Sequence, residues 1–317
     1  MIFLKKNCFF LCILFFLVSC SNQKSEISFY SMNTFMTIKS YGKNSEKINL
    51  EAKKRIEYLD SIFSTTNISS EIYKLNHNQN EFIEISDETK NLIDFSIKMS
   101  DKTEGALNIA LYPIILEWGF TTQNYKIPSL QKISELLTFT DYKKIEIKEN
   151  LVKIPQNMML DLGSVGKGFA GDEAIKILKE NGIKSAILDL GGNIQTLGKK
   201  IDGSDWNIGI KNPLDETSNL SVKVCDKAVI TSGGYERHFF SEDGTEYIHI
   251  FNPKTGFPVD NDILSVTIIS NSGTYADSLS TSLFVMGKEK ALEFWQNTQD
   301  FKMILICKDG STIIKEN

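Results

Sequence analysis

Residues 161–174 read DLGSVGKGFAGDEA, and they follow a short apolar run at positions 158–160. A helical pattern continues to Asn181-Gly182, which is a typical helix end. This order predicts a strand, a glycine-rich turn and a helix. Glycines let backbone amides approach a ligand closely, and a helix N-terminus favours anionic groups. The spacing matches neither GxGxxG nor GxxxxGKS/T, and the alternative is that the glycines only permit a tight turn.

The remaining elements follow from the spacing of apolar residues around that stretch. Residues 46–63 have apolar side chains at 48, 52, 56, 59 and 63, which is typical of an amphipathic helix. Residues 27–41 have strand character, and residues 145–154 alternate around Glu149-Asn150, which predicts a hairpin. A further hairpin is expected at Asp309-Gly310. Strands and helices mix without strict alternation, and this favours an α+β fold.

Composition describes an ordinary globular chain and excludes some partners. The 317 residues are 41% hydrophobic and 24% charged, with no internal repeat and no proline-rich linker. The length allows one large domain or two smaller ones. The formal net charge is −5, and no dense tract of lysine and arginine occurs. Nucleic-acid binding is not expected on this basis.

The first twenty residues have the features of a targeting segment. Lys5 and Lys6 form a basic start, and the apolar run Cys8 to Val18 is too short to span a bilayer. The following Ser19-Cys20 resembles the bacterial lipobox, in which the cysteine is acylated and becomes the mature N-terminus. The alternative is a plain secretory signal with an incidental cysteine.

These features divide the chain into a signal peptide at residues 1–19 and one domain at residues 20–317, with residues 20–26 as a tether. Lipidation at Cys20 predicts a membrane-anchored protein that faces the periplasm or the cell exterior. Cys225 and Cys307 are the cysteines of the predicted domain beyond Cys20, and each has apolar strand-like surroundings. Two buried thiols are expected there, with a single disulfide as the alternative.

The residues that could perform chemistry fall into four clusters far apart in sequence. They are DLGSVGK at 161–167, TSGGYERH at 231–238, HIFNPKTG at 249–256 and ADSLST at 276–281. Asp277 and Thr281 are four residues apart, so on a helix they share a face. Carboxylate and hydroxyl oxygens on one face suit a hard octahedral cation such as Mg²⁺.

Each of these residues also has a structural interpretation. Thr274 and Asp277 have the spacing of a helix capping box. His249 could be a buried histidine with its hydrogen bonds satisfied, and Arg237 could be part of a surface ion pair.

Taken together, the clusters resemble the ApbE family of FAD:protein FMN transferases. DLGSVGKGFAGDEA is similar to a glycine-rich motif of that family, and SGGYERHF, HIFNPKTGFPV and TYADSLSTSLFVMG are similar to its later motifs in the same order. The resemblance extends over the mature chain, from the segment YSMNTFMTI at residues 30–38 onward.

The resemblance implies a role for each matching position. Asp277 and Thr281 would hold Mg²⁺ through their side chains and Ser164 through its backbone carbonyl, while Asp277 and His249 are the catalytic candidates. Contacts with FAD are implied at Met32, Thr66, Ala106, Leu107, Asn108, Asp161, Lys167 and Phe251.

The sequence departs from the family pattern at several positions. Asn33 replaces the usual glycine after Met32, and Asn108 replaces an aspartate. Thr66 stands where many members have an aromatic residue in a loop that covers FAD. Ser280 stands where some members have another acidic residue, so no metal contact is assigned to it.

The implied reaction is Mg²⁺-dependent transfer of FMN from FAD to a threonine or serine hydroxyl of another protein, with release of AMP. The expected acceptors are flavoprotein subunits of membrane redox complexes. One alternative is an Mg²⁺-dependent FAD pyrophosphatase in which water replaces the hydroxyl, and another is a non-enzymatic flavin-binding lipoprotein.

Overall fold

The computed structural model describes residues 23–215 and 220–316. The predicted signal peptide, Cys20 and the first residues of the tether lie outside these described residues. Within them, no helix is both long enough and apolar enough to cross a membrane.

The described residues form helices and strands in mixed order, as the α+β prediction required. The helices are Ser45–Phe63 (α1), Glu71–His77 (α2), Asp87–Lys102 (α3), Tyr112–Glu117 (α4), Leu130–Leu137 (α5), Gly166–Glu180 (α6), Gly273–Met286 (α7) and Lys288–Thr298 (α8). The first strands are Lys24–Ser31 (β1), Thr34–Tyr41 (β2), Ile83–Glu84 (β3), Glu146–Lys148 (β4), Leu151–Lys153 (β5), Ser185–Leu190 (β6) and Asn193–Leu197 (β7). The later strands are Trp206–Gly209 (β8), Ser221–Val224 (β9), Ala228–Gly233 (β10), His238–Phe240 (β11), Glu246–Ile248 (β12), Ile263–Ser270 (β13), Lys302–Cys307 (β14) and Thr312–Lys315 (β15).

One antiparallel sheet organises the chain. Its eight strands lie in the order β1-β2-β6-β7-β10-β13-β14-β15, and every neighbouring pair is antiparallel. The smaller sheets are β3-β5-β4, β8-β9 and β11-β12. Both predicted hairpins are present, as β4-β5 and β14-β15. The architecture is a single domain of mixed sheets with flanking helices.

The two faces of the large sheet have different coverings because strand side chains alternate. On β10, Ala228 and Ile230 join the main apolar core, which lies against α1, α6 and α7. Val229, between them, joins a smaller cluster on the opposite face with residues of the β8-β9 hairpin, including Trp206 and Ile208. The helices of the main core carry most of the motif residues, so this face of the sheet positions the site.

Helix α1 confirms the amphipathic helix expected at residues 46–63. The five predicted positions, Ile48, Ala52, Ile56, Leu59 and Phe63, are all buried. They recur every three or four residues and therefore form one face, which packs on β1, β2 and α6.

The strand character predicted for residues 27–41 is divided between β1 and β2, which form a hairpin. Met32 and Asn33 form its turn with φ of 48° and 59°. A two-residue turn with both φ values positive matches the twist of a hairpin, and asparagine tolerates this conformation. Asn33 can therefore occupy the turn position where the family usually has glycine.

The tether predicted at residues 20–26 is wrong at its C-terminal end. Strand β1 begins at Lys24, so residues 24–26 pair with residues 39–41 of β2. The polar composition that indicated a tether belongs to the edge strand of the sheet, where one side of the strand has no neighbouring strand.

The strand predicted at residues 158–160 is also wrong, because this run has no partner strand. The buried side chain of Asn76 takes the place of a partner. Its Oδ1 accepts from the Leu160 N–H at 2.7 Å, and its Nδ2 donates to the Leu160 carbonyl at 2.9 Å. One carboxamide therefore satisfies both backbone groups that a neighbouring strand would have bonded.

Two glycines of DLGSVGKGFAGDEA, Gly168 and Gly171, allow close packing of a helix. Helix α6 begins at Gly166, so Gly168 and Gly171 lie inside it. A Cβ on Gly168 would come within 2.3 Å of the Gly273 carbonyl oxygen, and one on Gly171 within 2.2 Å of Gln195 Nε2. The absence of side chains lets α6 approach α7 and the sheet closely, and the turn itself lies before Gly166.

We predict that Asn76→Ala destabilises the protein. The change leaves the N–H and carbonyl of Leu160 buried without their present partner, which we expect to cost about 2–4 kcal/mol in the free energy of unfolding. Denaturant unfolding measures this. Asn91→Ala, at an exposed position of α3, is the matched control and should change stability by less than about 0.5 kcal/mol. Equal stability of the two variants would contradict the proposed role of Asn76.

Candidate active site

The buried carboxylate of Asp277 joins the first turn of α6 to α7. Its Oδ2 accepts from the Gly168 N–H at 2.8 Å, and Asp277 is 5% exposed. Burial raises the pKa of this carboxyl to about 6, against the opposing effects of the Lys167 ammonium and the Gly168 N–H. The site therefore has a desolvated carboxylate that nearby positive charge stabilises.

The capping-box interpretation of Asp277 is wrong. The N-cap of α7 is Ser272, whose Oγ accepts from the Tyr275 N–H at 3.3 Å. Asp277 lies five positions into the helix and bonds to another helix instead of to the start of its own. Its burial is therefore not explained by helix termination.

Asp172 makes the cap contacts that sequence reasoning did not assign. Its Oδ1 accepts from the Gly273 N–H at 2.6 Å, and its Oδ2 accepts from the Thr274 N–H at 2.9 Å and from the Thr274 hydroxyl at 2.7 Å. A carboxylate at a helix N-terminus is favourable for the helix dipole as well. Asp172 belongs to the glycine-rich motif at residues 161–174. Nothing in the sequence around it indicates a partner about 100 residues away.

Thr281 lies one turn after Asp277 on α7, as the four-residue spacing predicted. Its hydroxyl is 3.2 Å from the hydroxyl of Ser232, at the end of β10. The Ser280 hydroxyl is 2.8 Å from the same Ser232 oxygen and also donates to the Asp277 carbonyl at 3.0 Å. Ser280 is thus fully engaged within the protein, which agrees with assigning it no metal contact.

The oxygen donors at this place fit a hard cation. The carboxylate of Asp277 and the hydroxyl of Thr281 are ligands that Mg²⁺ accepts. The family resemblance implies a third ligand of the same kind, the backbone carbonyl of Ser164, two residues before α6 begins. A raised carboxyl pKa means that the charged form lacks compensation, and a bound cation would supply it. The described residues contain no group of three histidine, cysteine or acidic side chains suited to a metal. Any cation here would therefore keep coordination positions for water or substrate oxygens.

Two positive side chains act on the ionisable groups of the site. Lys167, in the first turn of α6, interacts with both Asp277 and His249, while Arg237, after β10, interacts with both His249 and Asp161. The second and third sequence clusters thus meet the first at one place. The combination of two cations with a helix N-terminus suits a polyanionic ligand.

His249 is neutral in this environment. Burial lowers its pKa to about 3, and the Arg237 and Lys167 charges act in the same direction. Its Nδ1 lies 3.1 Å from the Arg237 carbonyl oxygen, which can only accept, so Nδ1 carries the proton. Nε2 therefore has a free lone pair, and the ring is neither charged nor protonated at that nitrogen.

Asp161 fixes the loop before α6. Its Oδ1 accepts from the Gly163 N–H at 2.8 Å, and its backbone N–H donates to the Ile109 carbonyl at 2.8 Å. Burial raises the pKa of its carboxyl, and Arg237 opposes this shift. The contact with Ile109 joins this loop to residues 106–110, which contain three of the predicted flavin-contacting positions.

Those three positions have different surroundings. Leu107 is buried in the main core, and Ala106 is half-buried. The side chain of Asn108 holds its own loop, because Nδ2 donates to the Thr140 carbonyl at 2.9 Å and Oδ1 accepts from the Ala110 N–H at 2.9 Å. The structure does not bring the Asn108 amide into contact with the other predicted site residues.

Met32 and Thr66 both lie near the C-terminal end of α1. The Met32 N–H donates to Asp60 Oδ2 at 2.8 Å, and the loop that follows α1 contains Thr66, whose N–H donates to Ser64 Oγ at 3.2 Å. Thr66 is exposed. Tyr112, which the sequence did not single out, lies near both Thr65 of this loop and Asp161, and burial raises the pKa of its hydroxyl.

Phe251 lies apart from the charged residues, in an aromatic cluster. It is 4% exposed, and its ring centroid is 5.9 Å from that of Trp118 and 5.6 Å from that of Phe120. Its contacts are with apolar side chains that also include Ile133 and Leu111. The cluster forms an apolar wall next to the segment that carries His249.

Comparison with known proteins places this geometry in one family. Residues 32–305 match the profile of the ApbE family. The FAD:protein FMN transferase of Haemophilus influenzae is 29% identical over 286 residues, with 86% of this chain and 82% of that protein covered. The FAD:protein FMN transferase of Vibrio cholerae is 30% identical over 275 residues, covering 84% and 82%.

Solved structures agree with the fold. The ApbE protein of Thermotoga maritima has a TM-score of 0.87 at 30% identity, covering 93% of this chain and 97% of that one. The flavinyl transferase ApbE of Pseudomonas stutzeri, in its apo form, has a TM-score of 0.85 at 26% identity, covering 92% and 95%. Fold, motif order and length all agree, and this chain belongs to the ApbE family.

Proposed function

We propose that this protein is an Mg²⁺-dependent FAD:protein FMN transferase. The observation that carries the proposal is the buried carboxylate of Asp277, held by the N-terminal turn of α6 and one helical turn from the Thr281 hydroxyl. Relatives that cover most of the chain are named FAD:protein FMN transferase, which supports the proposal.

The reaction exchanges the phosphoanhydride bond of FAD for a phosphoester bond to the acceptor protein. The hydroxyl oxygen of a threonine or serine of the acceptor protein bonds to the phosphorus on the FMN side of FAD. The bond from that phosphorus to the bridging oxygen breaks, AMP leaves with the electron pair, and the hydroxyl proton is released. Mg²⁺ held by Asp277, Thr281 and the Ser164 carbonyl would neutralise charge on the pyrophosphate oxygens.

Lys167 and Arg237 bind and orient the pyrophosphate in this scheme. Both are positive, and both are close enough to His249 for their charges to lower its pKa. Asp172 contributes indirectly, because it holds the N-terminus of α7 and therefore the position of Asp277. The protein's task is mainly positioning and charge stabilisation, as in other phosphoryl-transfer enzymes.

His249 is the candidate for the group that accepts the hydroxyl proton. Its free lone pair is on Nε2, and its pKa of about 3 makes it a weak base in the ligand-free protein. A bound pyrophosphate would offset the Arg237 and Lys167 charges that hold the pKa down, so the basicity of His249 rises when substrate binds.

Hydrolysis of FAD is the second candidate function, and Thr66 favours it. Its side chain is exposed and cannot stack on an aromatic ring of FAD, so water has easier access to the pyrophosphate. Incubation with FAD, Mg²⁺ and a candidate acceptor decides the matter. Flavin that stays on the denatured acceptor means transfer, free FMN means hydrolysis, and intact FAD means a carrier without enzymatic activity.

The proposed acceptors are flavoprotein subunits of membrane redox complexes, and the proposed location is outside the cytoplasmic membrane. The support is the N-terminal pattern, in which an apolar run ends at Ser19-Cys20. A lipid on Cys20 would confine the enzyme to the surface where such subunits expose their hydroxyl groups.

We predict that Asp277→Ala lowers Mg²⁺-dependent AMP release by more than about 100-fold, because the carboxylate acts where charge develops in the transition state. FAD binding should weaken less than turnover does. Asp277→Asn keeps an oxygen that can accept from the Gly168 N–H and should be nearly as inactive. Activity retained in the asparagine variant would mean that the Gly168 hydrogen bond, and not the charge, is what matters.

We predict that Thr66→Tyr tightens FAD binding and reduces AMP release in the absence of acceptor. A base–aromatic stack contributes on the order of 1–3 kcal/mol, which corresponds to at least a several-fold gain in affinity. Ser69→Tyr, at another exposed position of the same loop, is the matched control and should change neither quantity. If Thr66→Tyr also changes neither, Thr66 only shapes its turn.

Lipidation at Cys20 predicts that the full-length protein, processed in bacteria, partitions into the detergent phase. Cys20→Ser should abolish this partitioning, since the acyl chains are attached through the thiol. Cys225→Ser is the matched control and should partition as the unmodified protein does. A full-length protein that stays in the aqueous phase with a free thiol at Cys20 would contradict the anchor.

A further inference from the structure

Asn193, the first residue of β7, has a buried side chain without hydrogen bonds. It is 2% exposed, and neither its Nδ2 nor its Oδ1 has a hydrogen-bond partner among the described residues. Burying an amide in this way is unfavourable, and buried polar groups in proteins are nearly always paired. Two unsatisfied atoms on one side chain indicate that the Asn193 carboxamide hydrogen-bonds to a group that binds to the protein.

The strand pairing shows which face of the sheet Asn193 is on. Gln195, two residues along β7, has its side chain toward α6, where Nε2 donates to the Gly168 carbonyl at 3.0 Å. Side chains two residues apart on a strand point to the same face, so Asn193 also points to the helix layer. Ile194, between them, packs in the cluster on the opposite face.

The neighbouring strand gives the position along the sheet. Asn193 pairs with Ile230 of β10, and Ser232 is two residues further along β10 on the same face. Such diagonal neighbours have Cα atoms roughly 7–8 Å apart. The Ser232 hydroxyl is 3.2 Å from that of Thr281.

Asn193 therefore lies between Ser232, which contacts a proposed metal ligand, and Gln195, which bonds to the glycine that holds another. Gln195 bonds to Gly168, whose N–H bonds to Asp277, and Ser232 contacts Thr281. The carboxamide is on the helix-facing side of the sheet, at the end of β7 nearest to these ligands.

The chemistry of the side chain restricts what can satisfy it. Oδ1 needs a donor and Nδ2 needs an acceptor, so a phosphate or carboxylate oxygen could satisfy only Nδ2. A water can donate to Oδ1, which a phosphate oxygen cannot do, and a phosphate oxygen or a second water can accept from Nδ2. Mg²⁺ usually keeps several waters, and a metal-bound water is a strong hydrogen-bond donor.

We propose that Asn193 is a positioning residue that hydrogen-bonds a water in the coordination shell of Mg²⁺ held by Asp277 and Thr281. This inference rests on the proposed metal site. Outer partners of metal ligands orient them, and removing such a partner commonly weakens metal binding by about 10- to 100-fold.

The test is Mg²⁺ titration by calorimetry on the detergent-solubilised full chain, with the unfolding midpoint measured in the absence of Mg²⁺. Asn193→Leu should raise the Mg²⁺ dissociation constant by about 10- to 100-fold. Its midpoint without Mg²⁺ should be unchanged or higher, because an apolar group replaces an unsatisfied amide. If Asn193 had a purely structural role, its loss would lower the unfolding midpoint. Weaker Mg²⁺ binding without a lower midpoint therefore distinguishes the proposed role from a structural one.

Two further variants complete the test. Asn193→Asp adds negative charge beside the cation and should tighten Mg²⁺ binding, so it remains decisive if Asn193→Leu does not fold. Ser185→Ala is the matched control: its hydroxyl is also buried and unsatisfied, but it begins the neighbouring strand β6, beside the C-terminal end of β7 and away from Asn193. It should leave the Mg²⁺ dissociation constant unchanged.

The outcomes separate the inference from the proposed function. If the unmodified protein and Asp277→Ala bind Mg²⁺ equally or not at all, the proposed metal site fails. If Asp277→Ala loses Mg²⁺ binding while Asn193→Leu binds as the unmodified protein does, the inference about Asn193 alone is overturned. Unchanged or weaker binding by Asn193→Asp also contradicts it.

Discussion

The hydrogen bond from the Gly168 N–H to Asp277 Oδ2 is the contact on which the site depends. It spans 2.8 Å between two helices that are 109 residues apart in sequence. It can form only because position 168 has no Cβ, which would lie 2.7 Å from the Cβ of Asp277. The glycine thus has a steric function first, and the ligand geometry follows from the close approach of α6 and α7.

This close approach has a second consequence for electrostatics. The helices exclude water from Asp277, and burial raises its pKa to about 6 while Lys167 opposes the shift. A carboxylate in this state gains from a nearby cation more than an exposed one does, because its charge is poorly solvated. Packing would therefore favour the proposed cation at this carboxylate, and Asp172 supports the packing by holding the start of α7.

The large sheet forms the side of the site opposite to helices α6 and α7. Strands β7 and β10 present Asn193, Gln195 and Ser232 on the face that meets α6 and α7. One of these three side chains bonds to a helix backbone carbonyl, one to helix hydroxyls, and one has no partner among the described residues. A polar stripe under the helices contrasts with the apolar core further along the same strands.

Local signals in the sequence were sufficient for several elements. The burial of Ile48, Ala52, Ile56, Leu59 and Phe63 repeats the spacing read from α1, because helix periodicity is a local property. The β4-β5 and β14-β15 hairpins were likewise predicted by their turn residues. The run at 158–160 was misread as a strand, since nothing in its own composition shows that a carboxamide from α2 would satisfy its backbone.

The sequence by itself determined the family, the order of the motifs and the pairing of Asp277 with Thr281 on one helical face, because these depend on residue identity and short spacing. The tertiary structure decided which donors those residues meet: Asp172 at the start of α7, Gly168 at Asp277, and the side of the sheet on which Asn193 is buried. These contacts join residues far apart in the chain, and a hydrogen bond or a desolvated charge between distant segments leaves no periodic pattern in either one.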